Sequence, residues 1–549
     1  MTDFDCDVCV IGSGAGGGPI AFEASRRGRS VIVLEKGPWL RESDFVKDEI
    51  SMCLRPTLRP TLRDEPQLVD VTRTDGSHAS LLTRDTGWDF WNGALVGGAT
   101  NLMSGFFHRM KPVDFKLRST FGPVEDANVV DWPIDYDTLE PYYAKVEEEV
   151  GVSGAVVSHP FADRRSTESF PMPPTGEHPL AQTLDRTCAA LGMHSFPTPR
   201  AILSRPRDGR ESCSYSGYCG SYGCATGAKG SARAALLDRA IATGRAEIRA
   251  RARVTALESD QRGRVVRARY IDAEGNTKFV SARTFVVACH AIESARLLLS
   301  STGPRHPRGL ANRSGLVGRN LLFSSAGWGV GDLVGEEHRS LRPFVNRSVQ
   351  DFYVYEGDDG AQRKGGTLDF LLTHPNPIGA ALSAARTQPR LQWGRPLQES
   401  LRNYFRTTHV MFEIFADWIP HEGSRVELSS DVRDRWNVPV ARIRPDGHPR
   451  NREVVESLTA RGLEVLRAIG ATGLRSRGLG WPSTNLVAGT CRFGTDPATS
   501  VLDPDCRAHD ADNLYVTDGS FMPTGGSVPY TFTIYANSFR VADQLLAAL

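Results

Sequence analysis

Asp7-Val-Cys-Val-Ile-Gly12-Ser-Gly14-Ala-Gly-Gly17 stands near the start of the chain, and after a helix-length stretch closing at Gly28 comes Ser30-Val-Ile-Val-Leu-Glu35. The two apolar runs read as buried parallel strands of a βαβ unit. Gly12, Gly14 and Gly17 let the backbone turn tightly against a pyrophosphate, and Ala15 adds no bulk there. The free N–H groups and positive dipole of the helix that follows hold the anion. Glu35 ends the second strand, where a carboxylate accepts the hydroxyls of an adenosine ribose and repels a 2′-phosphate. Strand, glycines, helix and terminal acid occur in the order a dinucleotide fold requires, which a chance glycine-rich turn would not supply.

The remaining 500-odd positions of the 549 leave room for a large α/β domain with a substrate domain attached. Lys and Arg together number 65 against 64 Asp and Glu, with no basic block, which argues against nucleic acid or an anionic membrane as partner and for a small molecule. No window reaches the apolar length of a membrane span. Acidic residues run straight into the first strand, leaving no room for a signal peptide, so a cytoplasmic protein is expected. The ten cysteines are then mostly reduced thiols.

Between the opening unit and residue 84 the hydrophobic period fades, and Arg55-Pro-Thr-Leu-Arg59-Pro-Thr-Leu-Arg63 is a small duplication whose prolines favour an extended loop. Such a loop is a lid, a contact in a homo-oligomer, or a plain surface excursion. Gly97-Gly98-Ala-Thr100-Asn101 permits close backbone approach to a flat or charged ligand, or forms an ordinary turn. Asp137, with Glu140 three residues on, reads as the N-cap of a helix. Glu247 to Val280 alternates like an antiparallel excursion, and Thr284 to Leu299 returns as a buried strand running into a helix.

From about Ser325 the pattern changes to strands at Asp351–Tyr355, Thr367–Thr373, His409–Phe415, Arg425–Leu428 and Val440–Ile443. One amphipathic helix follows, carrying Val454, Val455, Leu458, Val465, Leu466 and Ile469 on a face. Asn513 to Asp518 reads as a last core strand with Asp518 and Gly519 at its carboxyl end, where ligands bind in open α/β sheets. The expected fold class is α/β, a doubly wound, Rossmann-like dinucleotide-binding domain with a second, mainly antiparallel-sheet substrate domain. The expected division is 1–324 for the cofactor domain with its insertions, 325–480 for the sheet domain and 481–549 for the return to the first.

Together, the opening fingerprint, Gly97-Gly98-Ala-Thr100-Asn101, Val286-Val-Ala-Cys-His-Ala-Ile-Glu-Ser294, Gly489-Thr-Cys-Arg-Phe-Gly494 and Asn513-Leu-Tyr-Val-Thr-Asp518-Gly519-Ser resemble the glucose-methanol-choline flavoprotein oxidoreductases over the whole chain. The resemblance implies FAD, with Gly97, Gly98, Thr100 and Asn101 along the flavin and pyrophosphate, and Asp518 and Gly519 at the ribityl chain. Some relatives attach FAD through a His just after the Gly-Gly-x-Thr segment; here Leu102 and Met103 stand there, which implies non-covalent FAD. The chemistry implied is transfer of a hydride from an alcohol carbon to flavin N5 while a base takes the hydroxyl proton, with oxygen or a quinone-type acceptor removing the electrons.

Relatives carry a His three residues before the Gly-Thr of the Gly-Thr-Cys segment and a His or Asn near the Pro that opens the last helix. This chain has Leu486 at the first place, and Val528 or Pro529 at the second. The base then comes from elsewhere, with Tyr530, Asn485, His374 and His409 as candidates, or from the substrate's own basic group. A non-redox flavin lyase or a degenerate binding module are the competing readings. Tyr353, Tyr355 and Trp418 suit stacking on a sugar ring or ordinary core packing. Cys213, Cys219 and Cys224 are spaced like the iron–sulfur segment of some sugar dehydrogenases of the family, against a metal-free reading as a tight loop. No metal is expected.

Overall fold

A computed structural model describes residues 4–53, 64–72, 76–86, 88, 90, 92–335, 344–357, 360–373, 376–386 and 393–549. The Arg55–Arg63 duplication and His374 lie outside the described residues.

The opening strand Cys6–Ile11 is buried on both faces, as parallel strands covered by helices must be. It pairs in parallel with Val31–Leu34 on one side and with Thr277–Val287 on the other. Ala246–Arg249 extends the sheet beyond Val31–Leu34, and Leu514–Val516 adds to the carboxyl half of Thr277–Val287, again in parallel. The amino half of that long strand turns instead into an antiparallel ribbon with Val265–Ile271 and Arg253–Ser259. The region expected as one antiparallel excursion is therefore divided, because Ala246–Arg249, at its start, is a parallel core strand. Periodicity over so few residues does not separate the two cases.

Among the described residues the second sheet contains ten strands, and nearly all its pairings are antiparallel. Its centre is Arg319–Leu333, hydrogen-bonded to Thr408–Ala416 and to Thr472–Thr490. Thr408–Ala416 also pairs with Gly366–Leu372. Side chains alternate across the sheet. Val410, Phe412 and Ile414 join Leu368 and Phe370 beneath Val455, Leu458, Val465 and Leu466 of the helix Pro449–Ala468. The opposite set, Met411 and Phe415 with Leu371, faces Phe106 and Leu486 toward the first domain. Glu413 belongs by register to this second set.

Two segments early in the chain also enter the second sheet: Leu68–Thr72 pairs in parallel with Pro439–Arg444, and Ser195–Pro197 pairs antiparallel with Arg347–Val349. The expected strand at Asp351–Tyr355 is Val354–Glu356, paired with Gln362–Lys364 in a separate ribbon. The cap of the helix Tyr136–Val150 is Asp135, whose carboxylate accepts the Thr138 N–H at 2.8 Å, rather than Asp137. Glu140 is drawn instead to the buried Arg109, at 2.7 Å. Among the described residues no helix is long and apolar enough to cross a membrane.

Candidate active site

One continuous cavity among the described residues starts at the carboxyl ends of the first sheet and continues to the inner face of the second, an empty space of about 1790 Å³ with the open solvent at its mouth included. At one end stand Leu34, Glu35, Lys36, Arg253 and Arg296. Its middle is lined by Gly12, Ser13, Gly14, Ala15 and Gly16, with Gly98, Ala99 and Thr100 opposite, and with Asp518 and Gly519. At the other end it reaches Met103–Phe106, Glu413, Phe415, Asn485–Val487 and Pro529–Thr531.

Local backbone shape explains the middle. Gly12 has φ +95°, and a Cβ built on it would fall 2.2 Å from the carbonyl oxygen of Ala288. Gly17 is equally constrained, its Cβ meeting the Gly12 carbonyl at 2.0 Å, but it shapes the loop without lining the cavity. Gly14 differs: a Cβ there meets only Gly98 Cα, at 3.9 Å, so its missing side chain leaves space on the ligand side. Gly97 and Gly98 both take left-handed backbone, at φ +91° and +57°. They bring the second glycine loop onto the first, where the Gly97 N–H donates to Ser13 Oγ at 2.9 Å. Ser13 donates in turn to Glu35 at 2.6 Å, and the Gly37 N–H donates to the other carboxylate oxygen at 2.9 Å. Asn101 sits behind this layer, its amide donating to the carbonyls of Val96 and Gly98.

At the head of the helix Gly17–Arg26 the Gly18 N–H donates to the Gly14 carbonyl at 2.9 Å and Pro19 has no N–H, which leaves the N–H groups of the loop ahead of it for an anion. With Gly14–Gly16 lining the cavity, they form an anion cradle. The cradle, the buried Glu35 at the second strand's end and the open space at Gly14 fit a dinucleotide cofactor. Asp518 accepts the Ser520 N–H at 2.8 Å and the hydroxyls of Ser294 and Ser520, and burial pushes its carboxyl up. At the Glu35 end of the cavity burial draws Lys36 down to about 8. Burial opposes ionisation of Glu293 beside it, yet Lys36, Arg296 and Arg253 hold that carboxyl at about 2.

The proposed bases are distributed unevenly. Tyr530 lines the cavity, but its buried hydroxyl donates to the Phe323 carbonyl and burial pushes the phenol far up, so it is committed as a donor. His409 does not reach the cavity: Nδ1 lies 2.7 Å from Asp332, Nε2 is 3.0 Å from the Tyr404 carbonyl, and the ring stacks on Tyr404. Asn485 lines the cavity from an exposed position and accepts a hydrogen bond from Ser483. Leu486 and Pro529 do line this end, and both are apolar, while Val528 is fully buried. Tyr353 and Trp418 are core residues, and Tyr353 donates to Asp114 at 2.6 Å; neither they nor Tyr355 line the cavity.

Glu413 was not singled out by the sequence. Its signal is a lone acid in the apolar run Val410-Met-Phe-Glu413-Ile-Phe415, legible only once the strand's faces are known. It is half-buried, lines the cavity, and makes no hydrogen bond or ion pair with the described residues. Cys213, Cys219 and Cys224 pack half-buried against Met172, Ile202, Leu203, Ala228 and Phe344. Among the described residues no group of three or more His, Cys, Asp or Glu side chains is placed to hold a metal ion.

Two family models described as GMC oxidoreductase match residues 89–324 and 420–538. The chain is 33% identical over 552 residues to 6'''-hydroxyparomomycin C oxidase from Streptomyces lividus, covering 99% of this chain and 92% of the relative. It is 31% identical over 562 residues to 2-methyl-1,2-propanediol dehydrogenase from Mycolicibacterium austroafricanum, covering 98% and 95%. Among solved structures, pyridoxine 4-oxidase from Mesorbium loti superposes with a TM-score of 0.62 at 18% identity over 99% of both chains, a likeness of fold.

Proposed function

The chain belongs to the GMC oxidoreductase family, a flavoenzyme that holds FAD and oxidises alcohols, and on that premise we propose that its substrate is a polar, sugar-like alcohol bound between the second glycine loop and the inner face of the second sheet. FAD held in this cavity would supply the acceptor for the carbon-bound hydrogen of the alcohol as hydride, with oxygen or a quinone-type acceptor downstream. The protein's task is to hold the alcohol so that this carbon and the hydroxyl proton are both addressed at once.

The observation that carries the reading is the continuity of one cavity from the anion cradle at Gly12–Gly16 to a mixed wall of Ser104, Phe106, Glu413, Phe415, Asn485 and Thr531. Aromatic faces beside a few convergent polar groups suit a ring bearing hydroxyls. The relatives named for a hydroxyparomomycin and for a propanediol agree with hydroxyl-bearing substrates of different size. Gly12, Gly14, Ala15 and Glu35 take the adenosine and pyrophosphate, shaped by Gly17. Gly97, Gly98 and Thr100, backed by Asn101, take the flavin side, and Asp518 and Gly519 the ribityl chain.

Anaerobic mixing with sugars, aminoglycosides and simple alcohols tests this. Loss of the oxidised flavin spectrum with a carbonyl product supports it. Turnover without bleaching points to a lyase, and saturable binding with neither points to a binding module; either outcome removes the proposal.

Non-covalent FAD is proposed on the same footing. Leu102 is buried in a small apolar cluster with Phe45, Leu95 and Tyr222, and Met103 lines the cavity, so neither neighbour of the glycine loop offers a nucleophile. Acid precipitation of the yellow protein is expected to leave all flavin in the supernatant. Flavin retained in the pellet would contradict this.

A further inference from the structure

The two places where relatives carry their proton acceptor are apolar here, yet the hydroxyl proton of an alcohol must still go to a base. Within the substrate end of the cavity the described lining offers one carboxylate, Glu413. It projects from the middle of Thr408–Ala416, a strand held on both sides by Arg319–Leu333 and Gly366–Leu372, so its backbone is fixed. Met411 and Phe415, two residues to either side, point the same way, and with Phe106, Leu371 and Leu486 they make its surroundings apolar.

We propose that Glu413 is the catalytic base: its carboxylate takes the hydroxyl proton of the alcohol as the carbon-bound hydrogen leaves with its electron pair to the flavin. The C–H and O–H bonds break, the C=O double bond forms, two electrons reach the flavin, and the proton rests on Glu413 until water removes it. This rests on the alcohol-oxidising reading above and supplies the residue that reading lacks.

Pairing separates this carboxylate from a structural one. Asp369 stands directly across from Glu413 in the sheet register and is fully engaged, at 3.0 Å from His108 Nε2 and bonded by Ser348. Arg200, the cation whose charge bears on Glu413, lies over the rings of Phe106 and Phe344 and donates to the Ser104 carbonyl. Of Asp369, Arg200 and Glu413, it is Glu413 that lines the cavity. Such a group is costly to bury without a partner, and a ligand hydroxyl supplies one.

The electrostatics agree. Burial, and then the Asp369 carboxylate, push Glu413 up to about 7, with Arg200 acting the other way. The remaining charge in its cross-strand row is Arg477, beyond Trp328 on Thr472–Thr490. A base whose affinity for protons lies near the working pH transfers them efficiently in both directions.

The test uses the holoenzyme with an alcohol that bleaches wild-type flavin. Glu413→Gln, nearly isosteric, should retain the flavin spectrum while anaerobic reduction slows roughly 10²–10⁴-fold, and Glu413→Asp should recover part of the rate. Wild-type reduction should rise with pH through about 7 and level off above it, because the base must be ionised; Glu413→Gln should lose that limb. Independently of turnover, infrared difference spectra of oxidised wild type should show a carboxyl band disappearing near neutral pH that Glu413→Gln lacks. Equal reduction rates in wild type and Glu413→Gln overturn the proposal, as does an effect confined to KM for amine-bearing substrates, or the absence of that band. Failure of the underlying reading is distinguishable: no alcohol then bleaches the wild-type flavin at all, which removes the reaction and the role together.

Discussion

Gly12→Val is expected to yield protein that is colourless or insoluble, whereas Gly14→Val is expected to fold normally and still lose most of its flavin. The difference lies in what each missing Cβ would meet. At Gly12 the clash is with backbone, 2.2 Å from the Ala288 carbonyl, and the left-handed φ of +95° adds strain for any side chain. The end of Cys6–Ile11 and the turn after Thr277–Val287 would have to part, which breaks the parallel core itself. At Gly14 the protein offers no obstruction closer than 3.9 Å, so a valine there intrudes only on what binds. Circular dichroism for the fold, with flavin absorbance per protein for occupancy, separates the two effects. Full flavin occupancy in Gly14→Val would contradict the placement of the pyrophosphate.

Arg109→Met should lower stability by about 3–5 kcal/mol, the usual cost of removing one partner from a buried ion pair. Arg109 is 1% exposed. Its guanidinium donates to Glu147 at 2.9 Å and Glu140 at 2.7 Å, and lies 5.6 Å from the centre of the Tyr143 ring. Methionine fills the space but leaves Glu140 bonded only by Ser166, and Glu147 only by Arg165. Burial raises the Glu140 carboxyl, but Ser166 and Arg109 outweigh it and hold the group below its ordinary value. Its contribution is therefore present above the unfolded-state value and lost as pH falls through the folded one, so the wild-type advantage should shrink in acid. Thermal unfolding midpoints of both proteins at neutral and acidic pH check this; equal midpoints at neutral pH would sink it.

How far the sequence reached depended on how local each signal was. The strand, loop, helix and strand of residues 6–35 are contiguous, and their glycines answer either to backbone, as at Gly12 and Gly17, or to ligand space, as at Gly14, so the cofactor and the sheet that carries it were legible together. The helix Pro449–Ala468 was legible from its apolar face. Leu68–Thr72 and Ser195–Pro197 were not, because they are short and their partners lie more than a hundred positions away in the chain. Asp135 and Asp137 both suit a cap, and only the backbone angles around Asp135 decide between them.

The chemistry was harder still. Histidine and tyrosine drew attention by residue type, yet His409 is held between Asp332 and the Tyr404 carbonyl, and Tyr530 bonds to main chain. Glu413 looks unremarkable in a list of acids. Its meaning comes from the strand face it occupies and from Asp369 across the register having its own partners, neither of which local periodicity contains.

Single-turnover reduction with an alcohol deuterated at its carbinol carbon tests the central claim most directly. The account predicts slower bleaching of the flavin than with the protiated alcohol, one carbonyl formed for each flavin reduced, and loss of one deuterium from that carbon. Product formed with the carbon-bound deuterium all retained, or with the flavin still oxidised, would contradict it.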